Sequence, residues 1–217
     1  MDILKRHEAF EIEALEKLKN AGFLEPLVFG GGTMLRLCYE INRYSADLDF
    51  WFIKETDPET YFGKLKRFLA NEYELTDTWI KFYTLLFEFR SGDYPKKLKI
   101  EIRKEERECD FQERIAFSRF GTKQVILRVH TLEQTMKNKI EAALKRREIK
   151  DFFDIEFLLR RGISMLAPPE RLAKLKRLAQ GFGINDYGVT LGSILDPEMR
   201  KYYTENGFSY LIDKISR

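Results

Sequence analysis

The sequence predicts an α+β fold, in which a mixed β-sheet with flanking helices is followed by a helical C-terminal region. Up to about residue 130, short apolar or alternating segments typical of strands are interleaved with amphipathic segments. From Thr131 onward the pattern is helical, with breaks at Gly162, Pro168–Pro169, Gly181–Gly183 and Asp196–Pro197. Of the 217 residues 44% are hydrophobic, which is enough for a substantial core. We therefore expect a domain over residues 1–130 and a helical domain over residues 131–217.

Periodicity and end patterns locate the individual elements. An amphipathic helix is predicted over Ile3–Asn20, ending before Gly22. A second helix is predicted from Asp57–Glu59, which combines an N-cap, a proline at the first position and an acidic first turn. The predicted strands are Leu27–Phe29, Asp47–Ile53, a run near Trp79, Tyr83–Phe89, Leu98–Arg103 and Gln124–Val129.

Composition excludes several classes of protein. No apolar stretch is long enough to span a bilayer, and the first residues do not resemble a signal peptide, so we expect a cytoplasmic protein without a membrane partner. Cys38 and Cys109 give neither a disulfide framework nor a metal cluster, and His7 and His130 are too few for a zinc site. The net charge of +3 is small, so any nucleic-acid binding would depend on local basic clusters.

A glycine-rich turn and an acidic strand form the most informative segment. Gly30–Thr33 follows an apolar strand and precedes a short helix, an arrangement that leaves backbone N–H groups available for an anion. Asp47 and Asp49 then point to one face of a strand, because successive side chains alternate. Magnesium is a natural counter-ion for such a pair together with phosphates. Alone, a glycine run is usually a loop, and an Asp-x-Asp motif is often a solvated strand end. The combination of the two motifs in this order occurs by chance much more rarely than either motif alone.

A third carboxylate lies on the predicted strand Leu98–Arg103. Its leucine and isoleucines share one face, whereas Lys99, Glu101 and Arg103 share the other. A glutamate between basic residues is normally a member of a cross-strand ion pair. If this strand lies beside the acidic strand, however, Glu101 completes a cluster that can hold two metal ions and help to deprotonate a hydroxyl.

A basic helical block begins at Thr131, which with Gln134 forms a capping-box pattern. On one continuous helix, three basic residues would form a stripe with Asp154 beside it, and a triphosphate is the obvious counter-charge. These basic residues are Lys139, Arg146 and Lys150. The alternative is a solvated basic face in which Arg147 and Asp151 pair across one turn.

The two blocks together resemble the nucleotidyltransferases of the AbiEii/AbiGii toxin type, which share the minimal nucleotidyltransferase fold of the DNA polymerase β superfamily. The family's Gly-Gly-Thr turn and Arg-x-Ser-x-Asp-x-Asp motif correspond to Gly31, Gly32, Thr33, Arg43, Ser45, Asp47 and Asp49. Its Lys-x-x-Ala motif, later arginine and basic-Asp-x-x-Asp motif correspond to Lys139, Ala142, Arg146, Lys150, Asp151 and Asp154. The resemblance covers about Leu27 to Gly162, and Lys150 replaces the more usual arginine.

The resemblance implies transfer of a nucleoside monophosphate from a nucleoside triphosphate to an acceptor, with release of pyrophosphate. Asp47, Asp49 and Glu101 would hold magnesium, with manganese as the alternative, and Glu101 could instead act as a base. Catalytic roles fall to these acids and Lys139. The remaining residues expected to bind nucleotide or phosphate, or to orient those that do, are Gly31, Gly32, Thr33, Arg43, Ser45, Arg146, Lys150, Asp151 and Asp154. RNA, especially tRNA, is the implied acceptor, and a cognate antitoxin the implied partner in a toxin–antitoxin or abortive-infection system.

Two alternatives remain open at the level of sequence. One is an RNA-binding module with an inactive site, which would use basic clusters at Lys96–Lys99, Lys145–Arg147 and Arg171–Arg177. The other is a transferase that modifies a protein hydroxyl.

Overall fold

The computed structural model describes residues 3–106 and 108–216. Contacts divide the chain into two compact units. The first comprises residues up to Glu40 together with Ser45–His130, and the second comprises Ile41–Tyr44 together with the residues from Thr131 onward. The two-domain organisation stays a prediction, and the grouping of residues 41–44 with the second unit was not predicted.

The first unit is built on a mixed β-sheet. Its strands are β1 (Leu27–Gly30), β2 (Asp47–Phe52), β3 (Glu74–Ile80), β4 (Thr84–Arg90), β5 (Leu98–Arg103), β6 (Phe111–Phe117) and β7 (Gln124–His130). Among the described residues these seven strands form one sheet in the order β3-β4-β5-β2-β1-β7-β6. β2 is parallel to β5 and antiparallel to β1, while β1 is parallel to β7. The predicted mixed sheet is thus confirmed, and β6 is a strand that was not predicted.

Three helices accompany this sheet: α1 (Ile3–Asn20), α2 (Gly31–Tyr39) and α3 (Pro58–Glu72). The α3 start has the predicted features, because Asp57 caps the helix by accepting a 2.8 Å hydrogen bond from the Thr60 N–H and Pro58 takes the first position. α2 begins directly after β1, so the glycine turn is itself the first turn of a helix.

The side chains of β2 alternate as the sequence predicts. Leu48, Phe50 and Phe52 are buried, whereas Asp47 and Asp49 are partly exposed on the opposite face. β5 repeats this alternation, with its leucine and both isoleucines buried. The apolar faces of both strands form part of the core, which leaves the carboxylates on the other face of the sheet.

The second unit is helical in its described residues. Its helices are α4 (Leu132–Arg146), α5 (Ile149–Arg160), α6 (Pro169–Gln180), α7 (Pro197–Asn206) and α8 (Ser209–Ser216), with a π-helical turn at Asp186–Leu191 and a 3₁₀ turn at Gly192–Ile194. No helix among the described residues of the whole chain is both long and apolar enough to cross a bilayer.

The basic block does not form one continuous helix. Thr131 caps α4 as predicted, since its Oγ1 accepts a 3.1 Å hydrogen bond from the Gln134 N–H. The helix then ends at Arg146, and the capping residue Arg147 has a left-handed backbone with φ 59°. Lys150, Asp151 and Asp154 therefore belong to α5, and the projection of a single basic stripe onto one helix is wrong.

Helix α1 contributes a buried histidine–carboxyl pair to the first unit. His7 Nε2–H donates to the Ala46 carbonyl at 3.2 Å and lies 3.5 Å from Glu11 Oε1. Burial lowers the pKa of His7. Burial also raises the pKa of Glu11 well above its usual value, and the neighbouring Glu8 and Asp47 carboxylates raise it further against the opposing effect of Arg36. Both shifts favour an uncharged pair inside the protein.

Replacing Glu11 should change how stability depends on pH. Because the folded protein holds a proton on Glu11 that the unfolded chain releases, wild-type stability falls as the pH rises above the ordinary carboxyl pKa and through the raised folded pKa. Glu11→Gln should not show this loss. Within that pH window, the free energy of unfolding of the variant relative to wild type should therefore rise by up to about 1.4 kcal/mol per pH unit. Urea unfolding between pH 4 and pH 8 measures the difference. Glu16→Gln, on the surface of the same helix, is the control, and parallel pH profiles of wild type and Glu11→Gln would contradict the expectation.

Candidate active site

Strand register gathers the acidic residues on one face of the first unit. Asp49 is paired with Gly30 of β1 on one side and with Glu101 of β5 on the other. Asp47 is paired with Lys99 in the next row. Directly paired residues project from the same face of a sheet, so the three carboxylates and the Lys99 ammonium share one surface.

The first turn of α2 lies against both aspartates. Gly31 has a left-handed backbone with φ 75°, and a Cβ at this position would overlap Asp49 Oδ2. The buried Thr33 hydroxyl donates a 2.6 Å hydrogen bond to the Asp47 carbonyl. Only glycine therefore suits position 31, on grounds of both conformation and space. Because the Thr33 hydroxyl already donates this hydrogen bond within the protein, a positioning role for Thr33 is favoured. Its contact with phosphate stays a prediction.

Lys99 lies between two of the carboxylates. Its Nζ is 3.2 Å from Asp47 Oδ2 and 3.1 Å from Glu101 Oε1. Partial burial lowers the pKa of Lys99, but the two carboxylates outweigh burial, and the net pKa is raised. Lys99 was not predicted to belong to the site, although the alternation of β5 indicates that Lys99 and Glu101 lie on the same face.

The donor set suits a hard divalent cation, although it is not a finished metal centre. Carboxylate oxygens are the ligands that Mg²⁺ prefers, and two of them already converge on the Lys99 ammonium. Within residues 3–106 and 108–216, no three His, Cys, Asp or Glu side chains are grouped closely enough to hold a metal ion. The acids fit a metal that takes the place of the ammonium. Magnesium binding by Asp47, Asp49 and Glu101 stays a prediction.

A buried ion-pair network occupies the second unit. Asp154, with 0% of its side chain exposed, is bound by Arg43 through Nε at 2.5 Å and Nη2 at 2.7 Å, and by Lys139 Nζ at 2.5 Å. Burial raises the pKa of Asp154, but these two cations outweigh burial and hold its pKa below the ordinary value. Asp154 is therefore a carboxylate anion fixed between two charges.

Asp151 extends this network to Arg146. Lys139 Nζ donates to Asp151 Oδ1 at 3.1 Å, and Arg146 Nη2 lies 2.9 Å and 3.0 Å from the two oxygens of the same carboxylate. Asp151 is fully buried, whereas 43% of the Arg146 side chain is exposed. Lys150 takes no part in these contacts and pairs with Glu148 at 2.9 Å. Arg146 is thus the member of the network with the most accessible charge.

Arg43, which was predicted to bind phosphate, is a member of this network and directs its guanidinium at partners within the protein. Two nitrogens of its guanidinium contact Asp154, and the third donates to the Tyr44 carbonyl at 3.1 Å. Backbone pairing with Leu195 further fixes the segment. This geometry favours a positioning role for Arg43, and phosphate binding by Arg43, Ser45, Lys139, Arg146 and Lys150 stays a prediction.

In the described residues, the mixed sheet carries paired carboxylates next to a helix that begins with glycine. The model of the AbiEii family, described as the nucleotidyl transferase AbiEii toxin of a type IV toxin–antitoxin system, matches residues 13–204. The chain therefore belongs to the AbiEii family, and the family resemblance in the sequence is confirmed.

Solved structures support the same fold. JHP933 from Helicobacter pylori is 22% identical, with a TM-score of 0.54 over 95% of this chain and 94% of that chain. A candidate nucleotidyltransferase from H. pylori is also 22% identical, with a TM-score of 0.55 over 95% of this chain and 96% of that chain. At this identity the likeness shows the fold alone. No curated protein sequence matches the chain.

Gly31→Ala should damage both stability and the acidic face. The left-handed conformation costs a residue with a Cβ about 1–2 kcal/mol, and the new methyl group would displace the Asp49 carboxylate. Gly63→Ala is the control, because its Cβ would enter open space within α3 and alanine favours a helix. Thermal unfolding should show a lower Tm for Gly31→Ala and an equal or higher Tm for Gly63→Ala. An unchanged Tm for Gly31→Ala would contradict the close approach of Gly31 and Asp49.

Asp154→Asn should be strongly destabilising. Removing the anion leaves Arg43 and Lys139 buried beside a neutral amide, and breaking a buried pair typically costs about 3–5 kcal/mol. Glu205→Gln removes one partner of an exposed ion pair with Lys201 and should cost less than about 1 kcal/mol. Urea unfolding measures both values. Equal effects of the two substitutions would show that the network contributes no more than a surface pair.

Proposed function

We propose that this protein is a metal-dependent nucleotidyltransferase that transfers a nucleoside monophosphate from a nucleoside triphosphate to RNA, with tRNA as the expected acceptor. The observation that carries the proposal is the common face of Asp47, Asp49 and Glu101, with Gly31 packed against Asp49. Membership of the AbiEii family supports the class of reaction.

The residues that would hold the metal are the three carboxylates of this face. A divalent metal bound there would neutralise phosphate charge and polarise the reacting phosphate. The N–H groups in the first turn of α2 would donate hydrogen bonds to phosphate oxygens, because the first N–H groups of a helix lack partners within the helix. Thr33 would hold this turn in place through its hydrogen bond to the Asp47 carbonyl.

The proposed reaction is a displacement at the α-phosphorus. The acceptor hydroxyl oxygen forms a new bond to that phosphorus, the bond from phosphorus to the α,β-bridging oxygen breaks, and pyrophosphate leaves with the bonding electrons. Glu101 is the proposed acceptor of the hydroxyl proton, unless it serves wholly as a metal ligand. Its half-buried carboxylate lies 3.1 Å from the Lys99 ammonium and faces the same surface as Asp49.

Positive charge for the triphosphate would come from the basic residues that the family resemblance implies. Arg146 is the strongest candidate for contact with a triphosphate, because its side chain is partly exposed while Asp151 fixes its direction. Lys139 is almost buried and holds both Asp151 and Asp154, so its contribution would be mainly electrostatic.

The family description also supports a biological role. As a member of a family of type IV toxins, the protein would act as a toxin whose activity is opposed by a cognate antitoxin. The antitoxin is expected to be encoded by an adjacent gene, and co-expression with that gene's product should relieve growth inhibition. Unchanged inhibition on co-expression would contradict an antitoxin role for that product.

Incubation of the purified protein with each of the four α-³²P-labelled triphosphates, MgCl₂ and total RNA tests the reaction. Label should enter RNA with at least one triphosphate and disappear when EDTA removes the metal. Label found in protein instead would identify a protein hydroxyl as the acceptor. Strong, salt-dependent RNA binding without incorporation, indifferent to magnesium and nucleotide, would support the RNA-binding module with an inactive site.

Asp49→Asn should reduce incorporation by at least about 100-fold, because it removes a charge that would stabilise the reacting phosphates through the metal. Asp77→Asn is the matched control. Asp77 is exposed on β3, and its register with Glu88 keeps it two strands away from Glu101. Circular dichroism checks that both variants keep the fold. An unchanged rate for Asp49→Asn would remove Asp49 from catalysis.

A further inference from the structure

Lys99 is the cation that joins two acids of the proposed metal site. Its Nζ lies within 3.2 Å of Asp47 and 3.1 Å of Glu101, which are on different strands. The register of β2 and β5 fixes Asp47 directly opposite Lys99, so this contact follows from the backbone pairing. The ammonium therefore occupies a position between carboxylates that a metal ligated by the same oxygens would need.

The neighbouring lysine behaves differently. Lys97 Nζ is 2.7 Å from Glu88 Oε1, and it makes no ion pair with Asp47 or Glu101 among the described residues. Two lysines, on β5 and just before it, thus have the same charge but different partners. This difference provides a matched comparison for the effect of Lys99.

We propose that Lys99 is the resting counter-ion of the carboxylate face and competes with divalent metal for Asp47 and Glu101. Metal binding then requires that the ammonium leave the two carboxylates, and a bound triphosphate offers it new anionic partners. Metal and nucleotide consequently bind with positive coupling through Lys99. This inference rests on the proposed function, because it concerns the same acids.

The surroundings allow such an exchange. Side-chain exposure is 32% for Lys99, 43% for Asp47 and 25% for Glu101, so water reaches all three groups. Ion pairs of partly exposed groups are weak, and lysine is a point charge on a flexible four-carbon chain. A divalent cation carries twice the charge and binds carboxylate oxygens directly. Lys99 can therefore stabilise the acids without holding them permanently.

Mn²⁺ binding measured by electron paramagnetic resonance tests the proposal without relying on activity. The proteins are wild type, Lys99→Met, Lys99→Arg and the control Lys97→Met. Each is titrated with MnCl₂ alone and in the presence of the four α,β-methylene nucleoside triphosphates. Thermal unfolding without metal verifies that each variant is folded. If Lys99→Met is unstable, Lys99→Gln, which also removes the charge, takes its place in the test.

Without nucleotide, Lys99→Met should bind Mn²⁺ about 5- to 25-fold more tightly than wild type, since each of the two ion pairs is worth at most about fivefold. Lys97→Met and Lys99→Arg should stay within about twofold of wild type. The analogues should tighten Mn²⁺ binding in wild type more than in Lys99→Met, because the coupling acts through the ammonium.

Equal Mn²⁺ affinity of wild type and Lys99→Met, with nucleotide-dependent binding intact, would overturn the role of Lys99 and leave the proposed function standing. Tighter binding in both the methionine and the arginine variants would also overturn it, because the charge would then not be the cause. Absence of Mn²⁺ binding in every protein, with and without the analogues, would instead count against the proposed function itself.

Discussion

The central constraint on the first unit is the repulsion among carboxylates that the sheet forces together. Asp49 and Glu101 are opposite one another in hydrogen-bonded strands, so they cannot separate unless the ladder breaks. Like charges held in this way require a positive partner. Lys99 supplies one from within the same sheet. The backbone thus sets the position of the acids, while the counter-charge is free to change.

The acids of the second unit also require positive partners, but they are buried and have several cations each. Asp151 and Asp154 are fully buried, and their cations are held in fixed geometry by several charge-assisted hydrogen bonds. An unpaired charge would be very costly there, so the buried acids depend on keeping these partners. Partly exposed acids with one flexible cation are suited to binding a ligand, and buried acids with several fixed cations are suited to holding a framework.

Local patterns in the sequence predicted the parts of the structure that depend on local physics. Alternation located β2 and β5, and cap residues located α3 and the start of α4. β6 was missed because most of its side chains are exposed and its polar centre shows no apolar face. The end of α4 was not predicted because Arg147 adopts a left-handed conformation, and an arginine in the sequence does not indicate such a conformation. The partners of Lys99 and Arg43 depend on strand pairing and on contacts over more than a hundred residues, which no local pattern specifies.

The direct connection of β1 to α2 restricts which ligands suit the acidic face more than the charges of its residues alone would. With no loop between them, the start of the helix lies beside Asp49, and only a glycine at position 31 permits this approach. A helix start favours anions, whereas the carboxylates favour cations. Under the proposed function, a free metal must displace Lys99, and a free triphosphate meets repelling acids. A metal bound to a triphosphate would satisfy the helix start, the carboxylates and the released ammonium together, so the proposal implies a preference for the complex over either component.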